Sequence, residues 1–187
     1  MKQILLLFFC SLAFSCTNSE KKERLAIQKA MKEYETLVAQ KVQDIENKSS
    51  GQKVDEQMVF FGNDSLRIVS LKQLIEEKSP LFFYFSESTC SPCIEKCVMI
   101  MKAYIPDYSS NKILVFVSPD YLSRFRENCY GKRLLNLSNG KLGIPVENEM
   151  VPFFFTLGDD MKIENLHVVN KENFGQTEKY IKSITKK

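Results

Sequence analysis

The chain has 187 residues, 44% hydrophobic and 26% charged, with only 7 Gly and 6 Pro. That length holds one ordinary domain plus an appendage, and that composition excludes a disordered, collagen-like or low-complexity chain. A net charge of +3 without a basic tract gives no expectation of a nucleic-acid partner, and a single histidine, His167, removes most of the raw material for zinc hydrolysis or Ser/His/Asp catalysis.

Residues 1–15 start with Met1-Lys2-Gln3, continue through an apolar run from Ile4 to Phe14 interrupted by Cys10 and Ser11, and end on the small Ser15. This is the form of a secretory signal, and the run is shorter than the roughly 20 apolar residues of a membrane span. Cys16 follows Leu12-Ala13-Phe14-Ser15, which resembles the lipobox of bacterial lipoproteins. The resemblance implies cleavage before a lipidated Cys16 and a membrane-anchored, extracytoplasmic lipoprotein, on the periplasmic side or at the outer membrane. Acyl chains partition at about 0.8 kcal/mol per buried CH₂, so such a chain is tethered rather than spanning. Disulfides persist in that compartment. A plain secretory signal with an unremarkable cysteine is the alternative.

From Glu20 to about Asn47 the apolar residues Ile27, Ala30, Met31, Tyr34, Leu37, Val38, Val42 and Ile45 recur at helical spacing, and the turn formers Asn47 to Gly51 end the pattern. One amphipathic helix is expected, packed on the domain or serving as a stalk. Gln57–Phe61 and Leu66–Val69 flank Gly62-Asn63-Asp64-Ser65 and predict a hairpin. Ser70-Leu71-Lys72-Gln73 has the form of a capping box opening a short helix to about Lys78. Leu81–Phe85 and Ile113–Val117 read as strands buried on both faces, with a helix from about Pro92 to Tyr104 between them, a βαβ unit. A further helix is expected over about Tyr121–Tyr130 and a loop around Ser138-Asn139-Gly140. Phe153–Leu157 and Lys162–Val169 form a second hairpin about Gly158–Met161, and a closing helix runs from about Phe174 to Ile184. The order predicts an α/β sandwich, a mixed sheet covered by helices. The chain divides into a leader (1–15), a lipidated N-terminus with its helix (16–51) and the main domain (52–187).

Cys90-Ser91-Pro92-Cys93 follows the first buried strand and opens the next helix. A cysteine at a helix N-terminus faces unpaired N–H groups and the positive end of the dipole, which favour the nucleophilic thiolate. Two intervening residues let the second thiol reach the first and resolve a mixed disulfide. Pro92 supplies the backbone angle of a first turn without wasting a donor.

The run from Phe60 to about Met101, with Val151-Pro152, resembles the thioredoxin fold, and most closely the membrane-anchored extracytoplasmic thiol-disulfide oxidoreductases related to TlpA and ResA. The resemblance covers about residues 54–184. It implies a thioredoxin-like three-layer sandwich with an N-terminal hairpin, an exposed nucleophile at Cys90, a buried resolving thiol at Cys93, and Pro152 as a cis-proline facing them. Val151 would offer its N–H and C=O to a substrate chain. Pro119 and Pro145 read as ordinary loop prolines.

The chain departs from that pattern at three places. Thr89 stands where the family has tryptophan, and Tyr84 replaces the buried acid six residues before the first cysteine. A tyrosine of pKa about 10 accepts protons poorly at neutral pH. The third departure follows from it: the nearest acid is Glu87, a candidate proton relay whose bland reading is a solvated loop carboxylate. Cys97 shares a helix face with Ile94, Val98 and Met101 and reads as a small buried hydrophobe; a Cys97–Cys129 disulfide, a third redox thiol and a Cys₄ zinc site are its other readings. No metal and no cofactor beyond the cysteines is expected. His167 reads as a surface or satisfied residue, and Phe82–Phe85 as core; Phe153–Phe155 either pack or border a groove.

The leading expectation is a lipid-anchored enzyme that reduces disulfides of extracytoplasmic proteins and is recharged by an upstream thiol donor. A non-catalytic thioredoxin-like binding module with a static disulfide is the alternative. A thiol peroxidase would need threonine and proline where Glu87 and Phe83 stand.

Overall fold

The computed structural model describes residues 2–61, 68–78, 80–119 and 129–185, with side chains from 20 onward apart from those of 60, 61, 68 and 78. The chain forms two units, Met1–Gln40 and Lys41–Lys187. Helix α1 (Lys2–Ser49) is longer than the periodic segment predicts. Within the first unit, Leu25, Ile27, Met31, Tyr34 and Leu37 are exposed on it. The side chains of Cys16 and of leader residues 2–15 are outside what the structure describes. Among the described residues no helix is long and apolar enough to cross a membrane.

In the second unit the elements are β1 (Met58–Phe61), β2 (Ile68–Ser70), α2 (Leu71–Lys78), β3 (Leu81–Tyr84), α3 (Ser91–Tyr104), β4 (Leu114–Ser118), β5 (Leu134–Leu137), β6 (Phe153–Leu157), β7 (Ile163–Val168) and α4 (Phe174–Thr185). They build one seven-stranded sheet in the order β2-β1-β5-β4-β3-β6-β7. Strands β3, β4 and β5 are mutually parallel, and β6 runs antiparallel to β3. The β1–β2 and β6–β7 hairpins are present, although the tip of the first lies outside the described residues. Ser70 Oγ accepts the N–H of Gln73 at 3.0 Å, so the cap of α2 forms as its sequence predicts. The parallel β3-α3-β4 unit, the antiparallel β6–β7 pair beside it and the closing helix make a thioredoxin-like three-layer sandwich.

Strand alternation divides the core between the two faces of the sheet. On one face Phe82, Tyr84, Val117, Phe153 and Phe155 pack with Leu71, Leu74 and Ile75 of α2 and Ile45 of α1. On the other, Phe83, Phe85, Phe116 and Phe154 pack with Ile94, Cys97, Val98 and Met101 of α3 and Ile181 of α4. The register of β3 on β6 sets Phe82 opposite Phe155, Phe83 opposite Phe154 and Tyr84 opposite Phe153. Each pair stacks, at ring separations of 4.9, 4.6 and 4.5 Å. Such pairs add about 0.5–1.5 kcal/mol each beyond the area they bury. Phe153–Phe155 are therefore packing residues, all at most 1% exposed.

The structure differs from the sequence reading at three places. Leu134–Leu137 is a buried strand that the sequence reading misses. Cys129 and Tyr130 do not end a helix: Cys129 bridges to Lys132, and Tyr130 turns the chain at a φ of 54°. Residues 120–128, where that helix is expected, lie outside the described residues. Finally, Pro145–Glu149 forms a 3-10 helix leading to the Val151-Pro152 segment.

Candidate active site

Strand β3 aims the chain at the site. Phe85 continues it, its N–H donating to the Val117 carbonyl at 3.2 Å, and the chain then turns over Ser86–Thr89. Thr89 Oγ1 accepts the Ser86 N–H at 2.9 Å and closes that turn. Thr89 is buried, so the position has become an internal turn brace rather than a hydrophobic wall. Glu87 is exposed in the same turn.

Cys90 caps α3, and its carbonyl accepts the N–H groups of Cys93 and Ile94 at 3.0 and 3.1 Å. Cys90 is exposed; Cys93, one turn into the helix, is 4% exposed. The Cys93 S–H donates to Cys90 Sγ at 2.8 Å. Burial first, then this hydrogen bond and the charge of a Cys90 thiolate, push the Cys93 thiol up from 9.0 to about 12. Lys171 pulls it down and Glu172 adds to the rise.

Lys171 and Glu172 go unnoticed in the sequence. They reach the site because the Val169 N–H donates to the Pro152 carbonyl at 3.1 Å, just beyond the Phe153–Val168 pair. The signal was partial: closing the Gly158–Met161 hairpin in register sets Val168 opposite Pro152, and a register shift between Phe154 and Thr156 moves Val169 there and carries the next charged residues to the rim. Pro152 is buried and Val151 half-buried. The peptide before Pro152 is trans, as are all described peptide bonds, so the cis isomer implied by the resemblance is absent. A trans X–Pro bond is the ground state by about 0.5–1 kcal/mol. Met150 instead takes a left-handed φ of 54° immediately before it.

Cys97 and Cys129 share the core beneath α3 with Phe83, Phe85 and Phe116. Both are buried free thiols. Burial pushes the pKa of each thiol up, to about 11 for Cys129, and the charge of Cys93 adds to the rise at Cys97. Among the described residues no group of three His, Cys, Asp or Glu side chains could hold a metal ion. His167 is a satisfied residue: Nε2 lies 2.9 Å from Thr177 Oγ1 and its ring stacks on Tyr180 at 4.7 Å.

Comparison with protein-family models finds no match, and neither does comparison with curated proteins. Among solved structures the chain is similar to an uncharacterized thioredoxin-like protein from Porphyromonas gingivalis, at 17% identity and a TM-score of 0.46, covering 74% of this chain and 94% of that one. A candidate protein disulfide isomerase from Bacteroides thetaiotaomicron is similar at 15% identity and a TM-score of 0.45, with 74% and 91% covered. The mitochondrial 2-Cys peroxiredoxin of Plasmodium falciparum follows at 13% and 0.44, with 73% and 92% covered. At these values the likenesses are faint, and the functional reading rests on the site itself.

Proposed function

We propose that the chain is a thiol-disulfide oxidoreductase of the TlpA/ResA-like type, anchored outside the cytosol through a lipidated Cys16, that reduces disulfides of extracytoplasmic proteins. One observation carries the redox reading: an exposed thiol at a helix N-cap lies 2.8 Å from a buried thiol one turn on. The Cys90 thiolate attacks one sulfur of a substrate disulfide; an S–S bond to Cys90 forms and the other substrate sulfur leaves as a thiolate. Cys93 then loses its proton, which ends on the leaving sulfur directly or through Glu87, and attacks Cys90 Sγ. The substrate departs as one thiol and one thiolate, the latter taking a proton from solvent; the two electrons have come from Cys90 and Cys93, and an upstream thiol donor restores the pair. Val151 and Pro152 would flank the docked substrate strand.

The electrostatics suit this order. Two of the influences that hold the proton on Cys93 come from Cys90 itself, its hydrogen bond and its charge. Both vanish once Cys90 is bound in a mixed disulfide, while the charge of Lys171 remains. The resolving thiol is thereby kept protonated until it has something to resolve.

The test is the Cys90/Cys93 equilibrium in defined glutathione buffers, read by mass after alkylation. A reversible two-electron couple near about −270 mV supports a reductase, and one near about −120 mV an oxidase. No reversible couple would leave the binding-module reading. For the anchor, acylated peptide at Cys16 in a bacterial host is the expected product, and an unacylated secreted chain would remove it.

A further inference from the structure

One carboxylate ties the end of the strand that runs on to the dithiol to the loop that runs on to Val151 and Pro152. Glu147 Oε1 accepts the O–H of Tyr84 and the N–H of Leu142, both at 2.7 Å. Its Oε2 accepts the N–H groups of Gly143 and Ile144 at 2.7 and 3.1 Å. Gly143 has a φ of 82°, which lets consecutive N–H groups converge on one anion. Tyr84 is the last residue of β3, whose continuation delivers Cys90, and its ring stacks on Phe153 at 4.5 Å. Glu147 lies in the 3-10 helix whose continuation delivers Val151 and Pro152. Outside, the Val146 N–H donates to Ser49 Oγ at 3.1 Å, so this helix is held on a second side as well.

A half-buried carboxylate satisfied by four donors is costly to desolvate and is not needed to fill space there, since leucine would do so. Its geometry does something leucine could not. It sets the position of the loop before Pro152 relative to the end of β3 by directional bonds, each of which weakens steeply with misalignment. We propose that Glu147, acting through Tyr84 and the Leu142–Ile144 backbone, is a positioning residue that holds the Val151 edge at the height of Cys90, and so governs docking of an extended protein segment without entering the sulfur chemistry. This rests on the thiol-disulfide reading above.

The experiment compares two disulfides on the full chain: insulin, whose chains must lie along the edge, and hydroxyethyl disulfide, which is too small to need it. In E147Q the amide nitrogen meets at least one backbone N–H head-on: that of Leu142 if it takes the Oε1 position, where the Tyr84 hydroxyl can turn to accept, or those of Gly143 and Ile144 if it takes the Oε2 position. KM for insulin should rise about tenfold with kcat within twofold, while the rate with hydroxyethyl disulfide and the dithiol equilibrium in glutathione stay at wild-type values. Y84F, which removes one donor and keeps the ring, should show the same split at about threefold, and carries the test if E147Q does not fold. Equal losses on both disulfides, a fall confined to kcat, or no change in either variant would overturn the positioning role while leaving the oxidoreductase reading intact. Wild-type protein that reduces neither disulfide would bring down both.

Discussion

Two pairs of cysteines lie on the same side of the sheet, and helix α3 gives them opposite fates. Cys90 and Cys93 occupy its cap and first turn, at the positive end of the helix dipole and with one sulfur open to solvent. Cys97 is one further turn along, where the same helix is a packing surface, and with Cys129 it is sealed among phenylalanines. Cys97 is four positions after Cys93, yet one thiol touches its partner and the other is sealed in the core. Reactivity here is a property of position on the helix rather than of residue type.

Single substitutions give the sharpest way to break this contrast. Cys90→Ala should lower disulfide reduction by about a thousandfold or more, as loss of a nucleophile does. Cys93→Ala should instead accumulate a mixed disulfide with the substrate, visible by mass. Cys97→Ala and Cys129→Ala should leave turnover within about twofold. A large loss at Cys97 with the fold intact would make it a third redox thiol and dissolve the distinction between the pairs.

Much of this contrast was legible in the sequence, for identifiable reasons. The motif after a buried strand placed Cys90 and Cys93, and the helix face of Ile94, Val98 and Met101 placed Cys97. The hairpins, the Ser70 cap of α2 and the βαβ unit followed from local chemistry. Strand β5 did not, because Leu134-Leu135-Asn136-Leu137 has no β-branched residue and neither period; its identity comes from pairing with β1 and β4. Glu147 was equally hidden, since its partners are backbone N–H groups of a loop and a tyrosine 63 residues away, neither of which leaves a pattern. The trans peptide before Pro152 could not be read because the two isomers share one sequence.

Stability should follow the opposite ranking to activity. Cys97→Ser places a hydroxyl in an apolar site at a cost of about 1–3 kcal/mol, toward the low end if the serine bonds back to the preceding turn. Cys90→Ser, at an exposed cap, should stay within about 0.5 kcal/mol of wild type. Urea midpoints of the reduced proteins decide this, and equal midpoints would mean that the core around Cys97 is looser than its packing implies.

The smallest effect separates the pairs by pH. Burial, with the hydrogen bond and charge of Cys90, raises Cys93 from 9.0 to about 12, and burial raises Cys129 from 9.0 to about 11, so in the folded state both keep protons that the unfolded chain releases. Below pH 9 neither thiol alters stability. Above it the unfolded state holds fewer protons than the folded one, and the free energy of unfolding falls by up to about 1.4 kcal/mol per pH unit for each withheld proton, until the folded pKa is reached. Oxidising Cys90 and Cys93 to a disulfide removes the contribution of Cys93 and leaves that of Cys129. Urea midpoints measured from pH 8 to 10.5 should therefore decline more steeply for the reduced protein than for the oxidised one, with Cys93→Ala matching the oxidised slope. Parallel declines would show that Cys93 ionises as readily folded as unfolded, which would remove the electrostatic basis for its waiting role in the reaction.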